Sequence, residues 1–284
     1  MAFFLSTPFV VTAALLLGLA GSGAVLVLRQ HHRHRRRRRQ QLAALRSLCD
    51  LIQNLQRHRG LSTGVLSGGS GMQQELASLH QHLDRVFREA PMSDARYAER
   101  WLGLEDHWRR LRQTGNRSVE ANLNQHHQII RNTLFLIQDI AADDRVAPHP
   151  ANHHCIWHEV LEAAEWAGQA RALGTAMAAA GHSSAAQRVR LRFLREKIRD
   201  LSSIAFEALS QAQPAKVDAN QLEDVQKAVD QLLHEMDSDL LAATPIVIPA
   251  QTFFQDATAT VDALFSLVAA TLEAMADDAS SSGP

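Results

Sequence analysis

An apolar stretch at positions 9–28 is the feature that most constrains the fold of this chain. No ionisable side chain occurs between positions 2 and 28. A helix rises about 1.5 Å per residue, so a stretch of about 20 residues is long enough to cross a hydrocarbon core of about 30 Å. The sequence therefore predicts a transmembrane anchor over residues 1–28.

The segment that follows the apolar stretch is strongly basic. Residues 29–39 contain seven arginines, three histidines and no acidic residue. A secretory signal peptide carries its basic residues before the apolar stretch, and here the order is reversed. Because arginines next to a span stay on the cytoplasmic side, we expect a single-pass anchor in a bacterial inner membrane, with residues 40–284 in the cytoplasm. This juxtamembrane segment is expected to contact anionic lipid, and without interleaved aromatic residues it does not indicate nucleic-acid binding.

The composition of the remaining chain favours helices. Alanine, leucine, glutamine, glutamate and arginine dominate, whereas the whole sequence contains one tyrosine. Strand-rich folds use more aromatic and β-branched residues. Apolar residues also recur at spacings of three and four, as in Leu76, Leu79 and Leu83. Cys49 and Cys155 lie far apart and do not form a disulfide framework. The predicted fold class is all-α.

About eight helices are predicted after residue 39. They cover residues 40–67, 71–90, 93–113, 118–142, 150–180, 183–211, 218–243 and 249–277. Breaks rich in glycine or proline separate them. The expected N-caps are Ser93, Ser118, Ser183 and Asp218. Short connections favour antiparallel neighbours, so we expect two four-helix bundles over residues 40–277, followed by a disordered tail at 278–284.

Sequence motifs of common enzymes and cofactor sites are missing. The chain has no P-loop, dinucleotide-binding, protein-kinase or zinc-protease motif. We therefore expect no enzymatic activity, no cofactor and no metal site. One histidine cluster keeps an alternative open, because His154 and His158 lie one helical turn apart, with His149 and His153 nearby. This pattern also suits a metal-linked or haem-linked redox sensor.

Two arginines interrupt the apolar stripes of predicted helices. The stripe of the first soluble helix continues through Leu55 to Arg59, and that of the fifth helix through Ala167 to Arg171. Arg57 lies about 200° around the helix from Leu55 and points away from this stripe. A charged side chain at a core position is costly unless something pairs with it. Arg59 and Arg171 are therefore candidates for a binding site.

Two kinds of partner would compensate these core arginines. In an up-and-down arrangement the two guanidinium groups reach a similar height, and an anion between them would relieve their repulsion. The alternative is a buried ion pair for each arginine, with Glu75, Glu162 or Glu165 as the carboxylate. Spacing alone leaves both alternatives open.

Three segments resemble a known family in the order in which that family has them. QRHRGLSTGVLSGG at 56–69 resembles the QxERGLSxGxLS opening of the nitrate- and nitrite-sensing (NIT) domain, with His58 where the family usually has glutamate. AGQARALGTAM at 167–177 resembles its second motif, AGxERAL, with Ala170 where that motif has its glutamate. PAQTFFQDATATVDALFSLV at 249–268 resembles its closing helix, and the similarity spans about residues 45–273.

This resemblance implies a double four-helix bundle in which arginines bind nitrate or nitrite. The positions that match are Arg59 and Arg171, with Arg57 as a third candidate. We expect a membrane-anchored sensor that transmits ligand occupancy to a signalling protein by helix rearrangement. Its implied partners are nitrate or nitrite, the lipid bilayer, that signalling protein and, as one option, a second copy in a homodimer. The alternative function is a ligand-independent helical adaptor or scaffold in a membrane complex.

Overall fold

Helices form all the regular secondary structure that the structure describes. The structure is a computed structural model, and it describes the backbone of residues 7–66, 73–90, 92, 94–113, 118–143, 156–211 and 217–281, with side chains between residues 29 and 277. No strand occurs in these ranges. The prediction of an all-α fold is confirmed.

The helices follow the predicted order closely. They are α1 (Thr7–Leu66), α2 (Gln73–Glu89), α3 (Ala95–Gln113), α4 (Val119–Ala141), α5 (Leu161–Ala180), α6 (Ala185–Ser210), α7 (Ala219–Glu235) and α8 (Ala250–Ser281). A π-helical turn, Ile156–Val160, leads into α5, and a second one, Met236–Ala242, continues α7. Helix α8 ends at Ser281, so residues 278–281 of the predicted disordered tail are helical.

The main difference from the predicted organisation is the length of α1. Between Thr7 and Leu66, the segments predicted as the anchor, the basic segment and the first soluble helix form one helix of 60 residues. At about 1.5 Å per residue this helix is about 90 Å long. No proline or glycine lies between residues 24 and 59 to interrupt it. The side chains of residues 1–28 lie outside the described residues, so the transmembrane anchor stays a prediction.

A different helix is apolar enough to be compared with a membrane span. Among the described residues, Ala250–Asp277 of α8 has the length and the hydropathy of a span, and half of it is buried inside the protein. Phe253, Leu264 and Leu267 of this helix are fully buried. Packing in the protein core is therefore enough to explain why α8 is apolar.

Helix ends agree with the predicted caps at two of the positions that can be compared. Ser118 accepts a hydrogen bond from the Ala121 amide at 3.1 Å, and Asp218 caps α7 in the same way. Ser184, and not the predicted Ser183, caps α6 through a reciprocal capping box with Gln187. The predicted cap Ser93 lies outside the described residues.

Helix contacts divide the chain into two groups. In the first group, α1 packs on α2 and α4, and α3 packs on α4. In the second group, α5 packs on α6 and α8, and α7 packs on α8. Leu45, Leu48, Ile52 and Leu55 of α1 are fully buried, as their stripe predicts. Contacts of this kind suit two four-helix bundles, and that arrangement stays a prediction.

The two groups meet where α1 faces α8 and, less extensively, α5. Gly174 permits the close approach of α5 and α8, because a Cβ atom there would collide with the ring of Phe253. At the other end of α8, Arg38 Nη2 donates a hydrogen bond to the carbonyl oxygen of Met275 at 3.4 Å. The basic segment of α1 is thus in contact with the C-terminal part of α8.

Candidate functional site

Arg59 is buried in the protein interior and paired with a carboxylate. Its side chain is 1% exposed, and that of Glu165 on α5 is 8% exposed. Arg59 Nη1 donates to Glu165 Oε1 at 2.6 Å, and Nη2 donates to Oε2 at 3.2 Å. Of the two alternatives that the sequence left open for this arginine, the structure therefore contains the buried ion pair.

The Glu165 carboxylate is held by further donors. Gln56 Nε2 donates to Oε2 at 3.0 Å, and Gln169 Nε2 donates to Oε1 at 2.9 Å. Gly168 makes room for this cluster, because a Cβ atom at that position would lie 2.9 Å from Arg59 Nη2. The α1–α5 contact is therefore built around a bidentate ion pair whose carboxylate accepts two further hydrogen bonds, and such pairing is the condition for a buried charge to be tolerated.

Arg171 has a different environment. Its Nη1 donates to Thr258 Oγ1 at 3.0 Å, and its guanidinium carbon lies 5.3 Å from the centroid of the Phe254 ring. Within the described part of the chain it forms no ion pair with a carboxylate. Burial, and next the nearby charge of Arg59, lower the pKa of Arg171 from its usual value to about 10, while Asp262 has the opposite effect. Arg171 is therefore still a cation at neutral pH, and its charge is only partly compensated.

An open cavity of about 700 Å³ lies beside Arg171, at the junction of the two helix groups. One wall is formed by Arg171 together with Phe254, Thr258 and Asp262 of α8. The opposite wall is formed by α1, with Gln53, Asn54, Arg57, Gly60 and Leu61 among its lining residues. The cavity also contains the carboxylates of Asp50 and Glu75. A small anion thus has room beside a cation in a mixed polar environment.

Arg57 lines the same cavity from its α1 side. Its side chain is exposed, as the helical geometry predicts, and its guanidinium pairs with Glu75 of α2, with Nε 3.1 Å from Oε1. Arg57 and Arg171 therefore share a cavity, whereas Arg59 lies behind the α1 wall with its donors turned to Glu165. Nothing in this geometry tests ligand binding by any of the three, so their role stays a prediction.

The α8 side of the cavity was not identified residue by residue from the sequence. Phe254, Thr258 and Asp262 lie in the segment that resembles the family's closing helix, but no spacing rule connects them with Arg171. Glu165 was one of three candidate carboxylates for the core arginines. For the three α8 residues, the sequence offers one signal, which is the resemblance of the whole segment 249–268 to the family's closing helix.

The alternative metal or haem site receives no support from the described residues. His149, His153, His154 and Cys155 lie outside them. His158 is partly exposed, with ring nitrogens 3.5 Å and 3.7 Å from carboxylate oxygens of neighbouring glutamates. In the part of the chain that the structure describes, no group of three ligand-type side chains is arranged to hold a metal ion.

Comparisons with known proteins agree with the resemblance read from the sequence. A solved structure described as the NasR transcription antiterminator is similar to this chain, with a TM-score of 0.67 and 19% sequence identity. The match covers 93% of this chain and 75% of that one, and at this identity it establishes the fold alone. No curated protein matches the sequence. Residues 50–278 match the family described as nitrate and nitrite sensing. Because the match covers most of the sequence, this chain belongs to the nitrate- and nitrite-sensing family.

Proposed function

We propose that this chain is a membrane-anchored sensor that binds nitrate or nitrite in the cavity beside Arg171 and carries no enzymatic activity. The observation that supports the site is a partly buried guanidinium with no carboxylate partner among the described residues, placed at a cavity of about 700 Å³. The family match over residues 50–278 supports the class of ligand.

The chemistry of the cavity suits a planar oxyanion. A guanidinium group presents its N–H donors in one plane, and nitrate offers three acceptor oxygens in one plane, so two parallel hydrogen bonds can form. The Thr258 hydroxyl donates to the Phe254 carbonyl oxygen at 2.7 Å, and this bond orients its lone pairs towards Arg171. Arg171 is thereby fixed at one end of its guanidinium, and its other donors are left to the ligand.

An anion beside Arg171 would also oppose the repulsion between Arg171 and Arg59, as the Asp262 and Glu165 carboxylates already do. The charge of Arg59 contributes to the lowered pKa of Arg171, so the two cations act on each other through the α1–α5 contact. A bound anion compensates this repulsion, and its affinity is higher for the helix arrangement that brings the cations together. Arg57 completes the proposed site from the α1 wall by exchanging Glu75 for the ligand. Arg59 attracts the anion from behind that wall through its charge. It would contact the anion directly only if its ion pair with Glu165 broke.

Signal transmission in this proposal uses α1. The helix carries Arg57 and Arg59 near its C-terminal end and the predicted membrane anchor at its start, with no break between them. Closure of α1 and α8 around an anion would therefore move the membrane-proximal part of the helix group as well. A signalling protein at the cytoplasmic face of the membrane is the proposed receiver of this change.

Calorimetric titration of the full chain in lipid nanodiscs tests the site. Nitrate or nitrite should bind with a stoichiometry of about one per chain, and chloride at the same ionic strength should bind much more weakly. Arg171→Ala should abolish the binding heat. Arg109→Ala removes an exposed arginine of α3 that pairs with acidic neighbours, and as the matched control it should bind nitrate normally. Retention of nitrate binding by Arg171→Ala would contradict the proposed site.

One observation favours the second candidate function, a ligand-independent membrane adaptor. The buried pair of Arg59 and Glu165 is what a purely structural role of Arg59 requires. An adaptor of this kind would show no nitrate heat in the wild-type chain and no difference between the Arg171→Ala and Arg109→Ala variants.

A further inference from the structure

Three histidines form a continuous hydrogen-bonded chain inside the first helix group. His58 of α1 lies between His80 of α2 and His126 of α4. Its Nδ1 is 2.6 Å from His126 Nε2, and its Nε2 is 2.8 Å from His80 Nε2. Trp108 of α3 packs edge-on against both His58 and His80, with ring centroids 5.0 Å and 5.7 Å apart. The histidine chain therefore joins α1, α2 and α4, and Trp108 packs α3 against it.

Hydrogen-bond partners fix the direction of this chain. His126 Nδ1 lies 2.7 Å from the carbonyl oxygen of Asn122, which only accepts, so this nitrogen carries the proton. Burial keeps His126 and His58 neutral by lowering their pKa values, so His126 Nε2 is the acceptor for Nδ1–H of His58. His58 Nε2, the unprotonated nitrogen of that ring, then accepts from Nε2–H of His80. With these two rings neutral, every hydrogen bond runs from His80 towards Asn122.

The chain continues from Asn122 back to α1. The Asn122 side-chain amide donates to Ser62 Oγ and to Thr63 Oγ1, both at 3.0 Å. Residues 58–63 of α1 are thus attached to α4 by polar contacts at His58 and at the two hydroxyls. We call this set of contacts the histidine clamp; it consists of His58, His80, His126, Asn122 and the hydroxyls of Ser62 and Thr63.

The geometry of the clamp excludes a chelated metal in this arrangement. His58 uses its two ring nitrogens towards two different neighbours, so the three rings have no common point at which three nitrogens meet. A cation placed between His58 and His80 would have two histidine ligands. The ligand that the chain accepts is a proton, and the half-exposed His80 is its entry point from the solvent.

The charged and titratable groups around the clamp oppose protonation of its buried members. Burial lowers the pKa of His58 to about 3 and that of His126 well below its usual range. Arg59 of α1 and His127 of α4 also act on His126 in this direction. At His80, burial and Arg112 of α3 lower the pKa, and the Asp84 carboxylate on α2 has the opposite effect.

We propose that the histidine clamp is a proton-operated switch that holds the last turns of α1 on α4 at neutral pH and releases them in acid. Protonation is compatible with the chain at the half-exposed His80, but a cation at His58 or His126 would be buried, and at His126 it would also face the charge of Arg59. The clamp must open before these two histidines take up protons. Opening brings both into solvent, where their ordinary pKa of about 6.5 applies.

Linkage gives the size of the effect. Each histidine that is freed on opening raises the opening constant about 15-fold between pH 6.5 and pH 5.0. His58 and His126 together predict a rise of about two orders of magnitude over this range. The released turns include Arg57, Arg59 and Gly60, so on the proposed function acid would also weaken anion binding. The test below does not depend on that function, because it is made without nitrate.

Hydrogen exchange of the full chain in nanodiscs, followed by mass spectrometry and corrected for intrinsic exchange rates, measures the opening. Between pH 6.5 and pH 5.0, protection of the amides at 58–66 should fall by about two orders of magnitude, while the core amides of α8 should change much less. His58→Gln retains hydrogen-bonding capacity but does not titrate, and it should reduce the fall to about 15-fold.

His82→Gln is the matched control, because His82 is a partly exposed histidine on α2 that pairs with Asp50 outside the clamp. It should behave as the wild type. His126→Gln gives a second route to the same answer if His58→Gln loses its helix content at pH 7.5. A fall of equal size in the wild type and in both clamp variants would overturn the proposal, as would unchanged protection of 58–66 in the wild type.

Discussion

The buried pair of Arg59 and Glu165 predicts a large and specific loss of stability when one partner is removed. The two side chains are 1% and 8% exposed, and the pair is bidentate. Arg59→Met keeps most of the side-chain volume but leaves a buried carboxylate with only the Gln56 and Gln169 amides as donors. Removal of one partner of a buried pair costs about 3–5 kcal/mol of unfolding free energy.

The double substitution separates a stranded charge from lost packing. Arg59→Met combined with Glu165→Gln removes both charges and keeps the glutamine network, so the expected loss is about 0–2 kcal/mol. Glu165→Gln alone leaves the buried Arg59 guanidinium uncompensated and should also cost about 3–5 kcal/mol, so the double variant should be much less destabilised than the sum of the two single variants. Arg171→Ala, which removes an arginine without a described carboxylate partner, should cost less than Arg59→Met and should lose the stabilisation by nitrate.

Urea unfolding of the full chain in detergent micelles, followed by far-ultraviolet circular dichroism at pH 7.5, measures these free energies. A cost of less than about 1 kcal/mol for Arg59→Met, or additive single and double variants, would refute the reasoning. Either outcome would mean that Glu165 does not compensate Arg59 in solution and that this guanidinium is available to an anion.

Three further predictions concern packing, acid stability and topology. Gly168→Ala should cost about 1–3 kcal/mol in the same urea assay, because its Cβ would lie 2.9 Å from Arg59 Nη2, and little when Arg59 is Met. Burial lowers the pKa of His58 to about 3 and of His127 to about 4, so the unfolded chain binds more protons below pH 6.5. Stability present at pH 7 should fall by about 2 kcal/mol at pH 5 through His58, and by less through the more exposed His127, because solvent screens its interactions; a flat urea midpoint between these pH values would contradict this. Alkaline phosphatase fused to the C-terminus should be inactive, and replacing the seven arginines of 29–39 by asparagine should yield mixed orientations with measurable phosphatase activity.

Features that depend on local sequence were predictable. The buried stripe of α1, the caps at Ser118 and Asp218 and the burial of Arg59 follow from helical periodicity and from local hydrogen bonding. Composition divides α1 into three segments and therefore does not predict its continuity, although its middle contains no helix-breaking residue.

Contacts between distant helices were not predictable in the same way. Arg171 and Thr258 are far apart in sequence, and periodicity on each helix does not fix the relative height and rotation of two helices. For the same reason Glu165 was one of three candidates, and the meeting of His58 with His126 was not predicted. His58 lies beside the apolar stripe of α1, and a polar residue there is typical of a solvated helix face.

The unbroken α1 sets the rotational orientation of the cavity with respect to the predicted membrane anchor. Arg57 lies about 40 Å along the helix axis from the start of the basic segment, and each intervening residue turns the cavity wall by about 100°. Inserting one residue into the basic segment would therefore point the cavity in another direction, whereas inserting seven would nearly restore its direction, two helical turns farther from the predicted anchor. Because Arg38 also donates to the Met275 carbonyl oxygen, α8 is expected to turn together with this part of α1. The number of residues in the basic segment therefore sets the direction in which the cavity faces, in addition to the positive charge that the segment supplies.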